Sequence, residues 1–443
     1  MSMFPPDHAL RLTLAEEVHA RPPEPVRTPA RASYVAVIVD ADARSRELAH
    51  IAVLCARHGV PPPVAGATHF RAQLGPLRLK WERHGEFSGY TFIAPGAVGD
   101  TPFDGQAAAL LPAQWLAETP GVTIAAVHAE LLSAADTPAT PERLNEAFEG
   151  QIVIGSGIAE GAAQVYTDFQ LHAGCTRVLI FDLGLTERES GRTLQRLFEI
   201  EAYRMLALLA LPIARRQSPR IVEIEGALAA LTDGIAQAQA QAPTSSHTSN
   251  SQVQDEALLH ELTRLAAEVE SGLAASQFRF GACRAYFELV TRRIAELRET
   301  RLPGVQTYDE FMARRFTPAV DTCATVSQRL HDLSERVAQA SSLLSTRVSI
   351  ARERQNQALL ASMDRRAKLQ LRLQQTVEGL SVAAICYYAA GLVGYAAKAL
   401  KAGGLPLNVD LVVGVSMPLV ALAVLAALRR ARRRIQASDP HPH

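Results

Sequence analysis

The pattern of apolar and polar positions changes character twice along the 443 residues. Up to residue 185 it consists of short apolar runs. Residues 34–40 (YVAVIVD) are rich in branched side chains and predict a buried strand. Residues 77–87 alternate strictly: Leu77, Leu79, Trp81 and Phe87 fall on one face, Arg78, Lys80, Glu82, His84 and Glu86 on the other. That period of two predicts a half-buried antiparallel strand. Further strands are expected at residues 69–74, 90–93, 122–130, 151–154, 163–171 and 177–181, with a helix over 44–58 closed by Gly59. The expectation is a cytosolic α+β or α/β domain over residues 1–215, built on a sheet of six or seven strands.

From residue 186 the period becomes helical. A long helix is predicted up to Leu211, where Pro212 stops it, and a connecting helix follows within 216–239. Residues 240–254 (AQAPTSSHTSNSQVQ) are small, polar and aperiodic, and read as a flexible linker. Residues 255–375 read as a long helical, coiled-coil region, broken at Leu302-Pro303-Gly304. Within it Val326, Leu330, Leu333, Val337, Ala340 and Leu344 form a heptad seam, which needs a neighbouring helix in cis or from another subunit. Arg347 takes the next core position, and residues 349–370 are markedly polar.

The second change comes near residue 376. Residues 379–397 and 411–428 contain no charge, and each is near the ~20 residues a helix needs to cross a bilayer. Residues 376–428 are therefore predicted to be a two-helix transmembrane hairpin; the competing reading is a buried hairpin of a soluble domain. Arg365, Arg366, Lys368 and Arg372 precede the first run, and Arg429, Arg430, Arg432, Arg433 and Arg434 follow the second, opening the basic tail 429–443. The connecting loop carries only Lys398 and Lys401 against Asp410. This asymmetry predicts insertion in a bacterial inner membrane with both termini cytoplasmic. The arginine cluster is expected to meet anionic lipid headgroups, so the lipid bilayer is the first predicted partner.

Composition narrows the classes. Hydrophobic residues at 48% and charged residues at 20% exclude wholesale disorder. Lys+Arg and Asp+Glu balance at 45 each, so no nucleic-acid partner is expected. Five scattered cysteines without a CxxC pair suggest neither a disulfide framework nor a zinc site. The N-terminus has no apolar core of a secretory signal, which places the bulk of the chain in a reducing cytosol.

Candidate chemistry is sparse. Glu82, His84 and Glu86 share a strand face, where two of them could hold a metal only by leaning together; an exposed face is the stronger reading. The run from Gly155 through Gly157 to Gly161 lacks the spacing of a phosphate loop and reads as a turn. His19, Arg21 and Glu24 beside the stiff Pro22-Pro23 unit could clasp a ligand or a partner domain; a rigid entry arm packed on the sheet edge is the stronger reading. Arg196, Glu199, Glu201 and Arg204 are paired charges on a mostly buried helix; Glu199 and Glu201 point to nearly opposite sides and cannot act as one catalytic pair. No Ser-His-Asp or Cys-His arrangement assembles, so no catalytic residue, metal site or cofactor is predicted. In the first apolar run Gly391 and Gly394, with Ala383, Ala384, Ala389 and Ala390, permit close helix approach. Tyr387 and Tyr388, near mid-span, are expected to face other helices or water. Glu378 and Asp410 bracket the first run and its loop, as interfacial carboxylates or, repeated around an axis, as acidic rings.

Five stretches, EVHARPP (17–23), LKWERHGEFSGYTF (79–92), TDFQLHAGCTRVLIFD (167–182), RLFEIEAYRMLALLALPIAR (196–215) and VEGLSVAAICYYAAGLVGY (377–395), resemble a bacterial family of membrane-anchored proteins defined as a domain of unknown function. The resemblance covers nearly the whole chain and implies a membrane anchor without an activity. The architecture is also similar, more loosely, to CorA-type divalent-cation transporters, homopentamers whose first span lines the pore. Their Gly-Met-Asn signature is absent; the corresponding end reads Gly391-Leu-Val-Gly394-Tyr395. Two spans from one chain cannot enclose an aqueous path, so transport requires a homo-oligomer. The leading expectation is an oligomeric sensor or scaffold tethered by the hairpin. The alternative is a CorA-like homo-oligomeric channel for divalent or monovalent cations. An anchored enzyme ranks third.

Overall fold

The computed structural model describes residues 7–12, 14–15, 22–96, 101–240, 248–404 and 408–436. It divides into two compact units: Met1–Ser246 with Ala257–Ser342, and His247–Glu256 with Leu343–His443.

The first unit is built on one mixed sheet of nine strands, more than the six or seven expected. In chain order these are β1 (Ala30–Ile38), β2 (His69–Leu74), β3 (Leu77–Arg83), β4 (Phe87–Pro95), β5 (Val122–Ser133), β6 (Ile154–Ile158), β7 (Ala163–Thr167), β8 (Thr176–Asp182) and β9 (Thr300–Arg301). Their order across the sheet is β2-β3-β4-β1-β5-β8-β7-β6-β9. Only β5 and β8 run parallel; every other pairing is antiparallel.

Two expected strands change their bounds, and a ninth strand is new. The strand expected over 77–87 ends at Arg83, and Phe87 opens the next strand, expected at 90–93: a turn at 84–86 resets the register, so Leu77, Leu79 and Trp81 face one core while Phe87 packs against Tyr203 on the other side. The glycine-rich segment expected as a turn is β6, buried throughout. Its glycines make room for neighbours, since a Cβ on Gly155 would lie 2.5 Å from the Tyr166 ring and one on Gly157 would strike Thr300. β9 comes from far down the chain, which no local pattern announces.

Helices cover both faces. α1 (Ala41–Arg57), capped by Asp40 accepting from the Ala43 N–H at 2.7 Å, lies on one. It packs Ile51, Leu54 and Cys55 with Trp81, Tyr90, Phe92 and Trp115, the last on the short helix α2 (Ala113–Ala117). A further short helix, α3 (Pro141–Ala147), closes a satellite cluster with Phe103, Phe148, Leu179 and Phe181. The other face carries α4 (Glu187–Leu208), opened by a Thr186/Glu189 capping box; Phe198 stacks on Tyr34 of β1 at 5.1 Å.

Chain entry is locked by α4. Val26 donates its N–H to Glu187 O at 2.8 Å, and a Cβ on Gly191 would land on the Glu24 carbonyl. Gly191→Ala is therefore expected to cost about 1–3 kcal/mol through overpacking. Urea unfolding measures it, and an unchanged midpoint refutes the contact.

A buried histidine gives the unit an acid limit. The Ser33 hydroxyl accepts from the Ala108 N–H at 3.0 Å and shares a hydrogen bond with Nδ1 of His128, 2.9 Å away. Burial, with Arg177 nearby, pushes the His128 pKa down to about 4. The unfolded chain takes up this proton first, so the contribution is complete above pH ~6.5 and lost as pH falls toward 4. Denaturation at pH 7 and 4.5 is expected to show a smaller acid loss in His128→Gln than in the native protein.

The helices that follow are longer than expected. α5 (Leu211–Ala240) admits Pro212 in its first turn, where proline costs nothing, and carries Pro219 inside. α6 (Thr248–Leu297) makes residues 248–254 helical where a linker was expected; residues 241–247 lie outside the described residues. α7 (Tyr308–Arg315) has its own Thr307/Glu310 capping box, and α8 (Thr317–Ala402) runs 86 residues. The seam is answered in cis. Val326, Leu330, Leu333 and Val337 are buried, and Leu330 lies against Gly272 of α6. Gln217 of α5 donates to the Gly272 carbonyl at 3.0 Å, and Arg329 of α8 pairs with Glu225 of α5 at 2.6 Å.

In the second unit Arg347, the polar residue at the next seam position, pairs with buried Asp255 at 3.0 Å. An ion pair thus replaces the apolar layer. Residues 351–377 are exposed on nearly every side. α9 (Val409–Gln436) ends the described chain.

Candidate functional site

Two charge-lined cavities are found among the described residues of the sheet unit, and the smaller lies between β3 and α4. The β3 face expected to be exposed is covered there by α4: Lys80 is only 5% accessible and Glu82 is nearly as buried. Burying ions demands partners. Lys80 Nζ sits 3.0 Å from Glu82 and donates to Gln195 at 3.3 Å. Gln195 donates to Glu199 at 2.8 Å, and Glu199 pairs with Arg293 of α6. The void measures about 30 Å³, room for one or two water molecules and no substrate. Burial raises the Tyr34 phenol at its edge well above its ordinary range. Every charge here has a counter-charge, so the arrangement offers no free base or nucleophile and reads as a polar seal between sheet and helix.

The other sequence-predicted polar residues are dispersed. Glu86 pairs with Arg279 of α6, and His84 stacks on Phe87 at 4.3 Å. No group of three His, Cys, Asp or Glu side chains is placed to hold a metal among the described residues. Glu201 and Arg204 pair at 2.6 Å, and Arg196 reaches Glu296 at 3.0 Å. Glu24 meets Arg71 and Arg78 of the edge hairpin at 3.1 and 3.8 Å. His19 and Arg21 lie outside the described residues.

One polar constellation escaped sequence reasoning. Asp168, wholly buried, lies 2.6 Å from His172 Nε2, while Glu149 lies 3.4 Å from Nδ1 and accepts from Arg177 at 2.9 Å. The i,i+4 spacing of Asp168 and His172 was visible, but on a turn rather than a helix. That turn is closed by reciprocal backbone bonds between His172 and Cys175 at 2.8 and 3.1 Å. With carboxylates at both ring nitrogens, the imidazole ties the β7–β8 hairpin together.

In the second unit the C-terminal part of α8 and α9 are each long and apolar enough to cross a membrane. They touch. Ala390, Gly394 and Ala397, spaced four and three apart, are the buried stripe of α8, and a Cβ on Gly394 would come within 3.1 Å of Val413 on α9. Of the six candidate span residues only Gly394 lies at that contact. Gly391 is exposed, Tyr387 and Tyr388 are 71% and 72% accessible with rings 5.8 Å apart, and Glu378 is half-buried. Asp410 is exposed in the first turn of α9, where its charge complements the helix dipole. Pro418 lies inside α9. Arg429 and Arg430 are exposed; the side chains of Arg432, Arg433 and Arg434 lie outside the described residues.

No curated protein and no solved structure matches the chain, so the CorA-type likeness finds no support among known folds. A family model does match, over residues 6–435, described as a protein of unknown function, DUF3422. The chain, with its nine-stranded sheet, long helices and two membrane-length apolar helices, belongs to that family.

Proposed function

We propose that this protein is a cytosolic sensor or scaffold held on the bacterial inner membrane by α8 and α9, which form a two-span hairpin with both termini in the cytoplasm. The supporting observation is the pair of uncharged runs on α8 and α9, which meet through small residues. In water about 20 largely accessible apolar residues on each would be a severe liability, whereas lipid is their natural solvent. Arg429 and Arg430, with Arg432, Arg433 and Arg434 beyond them, would hold anionic headgroups on the cytoplasmic side. Tyr387, Tyr388 and Gly391, accessible in one chain, are the surface on which copies would associate into a homo-oligomer. A channel for divalent or monovalent cations, with Glu378 and Asp410 as acidic rings, is carried by no observation beyond those two positions.

Carbonate-washed vesicles are expected to retain the protein, and protease outside spheroplasts to spare its sheet unit. Release by carbonate sinks the tether, and digestion from outside reverses the topology. A monomer in mild detergent removes the oligomer.

A further inference from the structure

The larger cavity of the sheet unit, about 330 Å³, opens between α4, the end of α6 and the β6–β7 turn. Its volume lies at the lower end of small-ligand sites. One face of α4 lines it, since Glu189, Arg192, Thr193 and Arg196 recur at spacings of three, one and three. Arg298, just past the end of α6, supplies a third guanidinium.

These cations are unequally engaged. Arg196 is held by Glu296 at 3.0 Å. Arg192 stands 3.9 Å from Oε1 of Glu189, at the limit of an ion pair, while Oε2 of that carboxylate accepts from the Thr186 N–H and hydroxyl at 2.9 and 2.8 Å. Arg298 pairs with Glu160, but both side chains are more than half exposed, so the pair is weak and open to exchange. Backbone strain gathers at the same place. Ala159, Glu160 and Arg298 have φ of 51°, 61° and 52°, a left-handed conformation that side chains adopt at a cost. These strained positions hold the cavity's wall and aim one of its arginines.

We infer that this cavity is a binding site for a small phosphate-bearing ligand, with Arg192 and Arg298 gripping the phosphate and Arg196 supporting it from the α4 face. Guanidinium forks match phosphate oxygens bidentately, and the phosphate displaces Glu160 from Arg298 at little cost. The site lies wholly in the sheet unit and stands whether or not α8 and α9 enter a membrane.

Inorganic phosphate is the probe, added to the full-length protein in detergent micelles and followed by ³¹P line broadening and calorimetric titration at constant ionic strength. Saturable binding is expected, weakened at least tenfold in Arg192→Gln and in Arg298→Gln and retained in Arg264→Gln, a surface arginine elsewhere. The two variants alter different elements, and circular dichroism verifies that each is folded. Absence of saturable phosphate binding, or binding unchanged in both folded variants, overturns the assignment.

Discussion

A chain ending after Gln375 is expected to leave the membrane fraction completely, whereas the full chain stays through a carbonate wash. The truncation removes the apolar end of α8 and all of α9. Apolar residues in mid-bilayer contribute about 0.3–0.6 kcal/mol each, so two spans supply enough for stable insertion and their loss leaves nothing comparable. The basic residues 365, 366, 368 and 372 remain, but surface attraction of about 1 kcal/mol per charge is screened and washes off in salt. The sheet and the seam from Val326 to Ala340 lie before residue 343, so urea unfolding of the soluble product is expected to report a cooperative transition. A truncated chain still sedimenting with carbonate-washed membranes would place the anchor elsewhere.

Arg83→Leu is expected to be the most damaging single change in the sheet unit, at about 3–5 kcal/mol. Its guanidinium meets Glu47 of α1 at 3.0 Å, donates to the Arg44 carbonyl at 3.2 Å and lies over the Trp81 ring at 5.2 Å. Glu47 is fully buried, and one of its carboxylate oxygens already lacks a hydrogen-bond partner. Removing the arginine strands a carboxylate in an apolar core between α1 and β3. Adding Glu47→Leu is expected to restore most of the lost stability, because the stranded charge rather than the missing pair carries the cost. A double variant as unstable as Arg83→Leu would disprove that apportionment.

The largest misreading came at β3. Alternation correctly separated Leu77, Leu79 and Trp81 from Arg78, Lys80 and Glu82, but polarity was equated with exposure. A face carrying Lys80 and Glu82 can be buried when its charges find each other and when a helix distant in sequence brings Gln195 and Glu199 to meet them. The cavity lined by Arg192, Arg196 and Arg298 was hidden for the same reason. Arg192 and Arg196 are neighbours on one helix, but Arg298 and Ala159 reach them only through folding. Glu47 and Arg83 show it once more, as an unremarkable helical glutamate and a strand-end arginine that tertiary structure turns into a buried pair.

Local sequence was sufficient wherever the physics is local. The helical period of α4 and α8, the seam from Val326 to Leu344 and the two uncharged runs depend on residues within a few turns of one another. Tertiary structure alone decided that the seam is answered by α5 and α6 of the same chain. It also decided that β9 joins the sheet edge, that α4 seals the polar face of β3, and which charges end beside which. Such pairings set loop-closure entropy against contacts between residues far apart in the chain, a balance that no window of sequence contains.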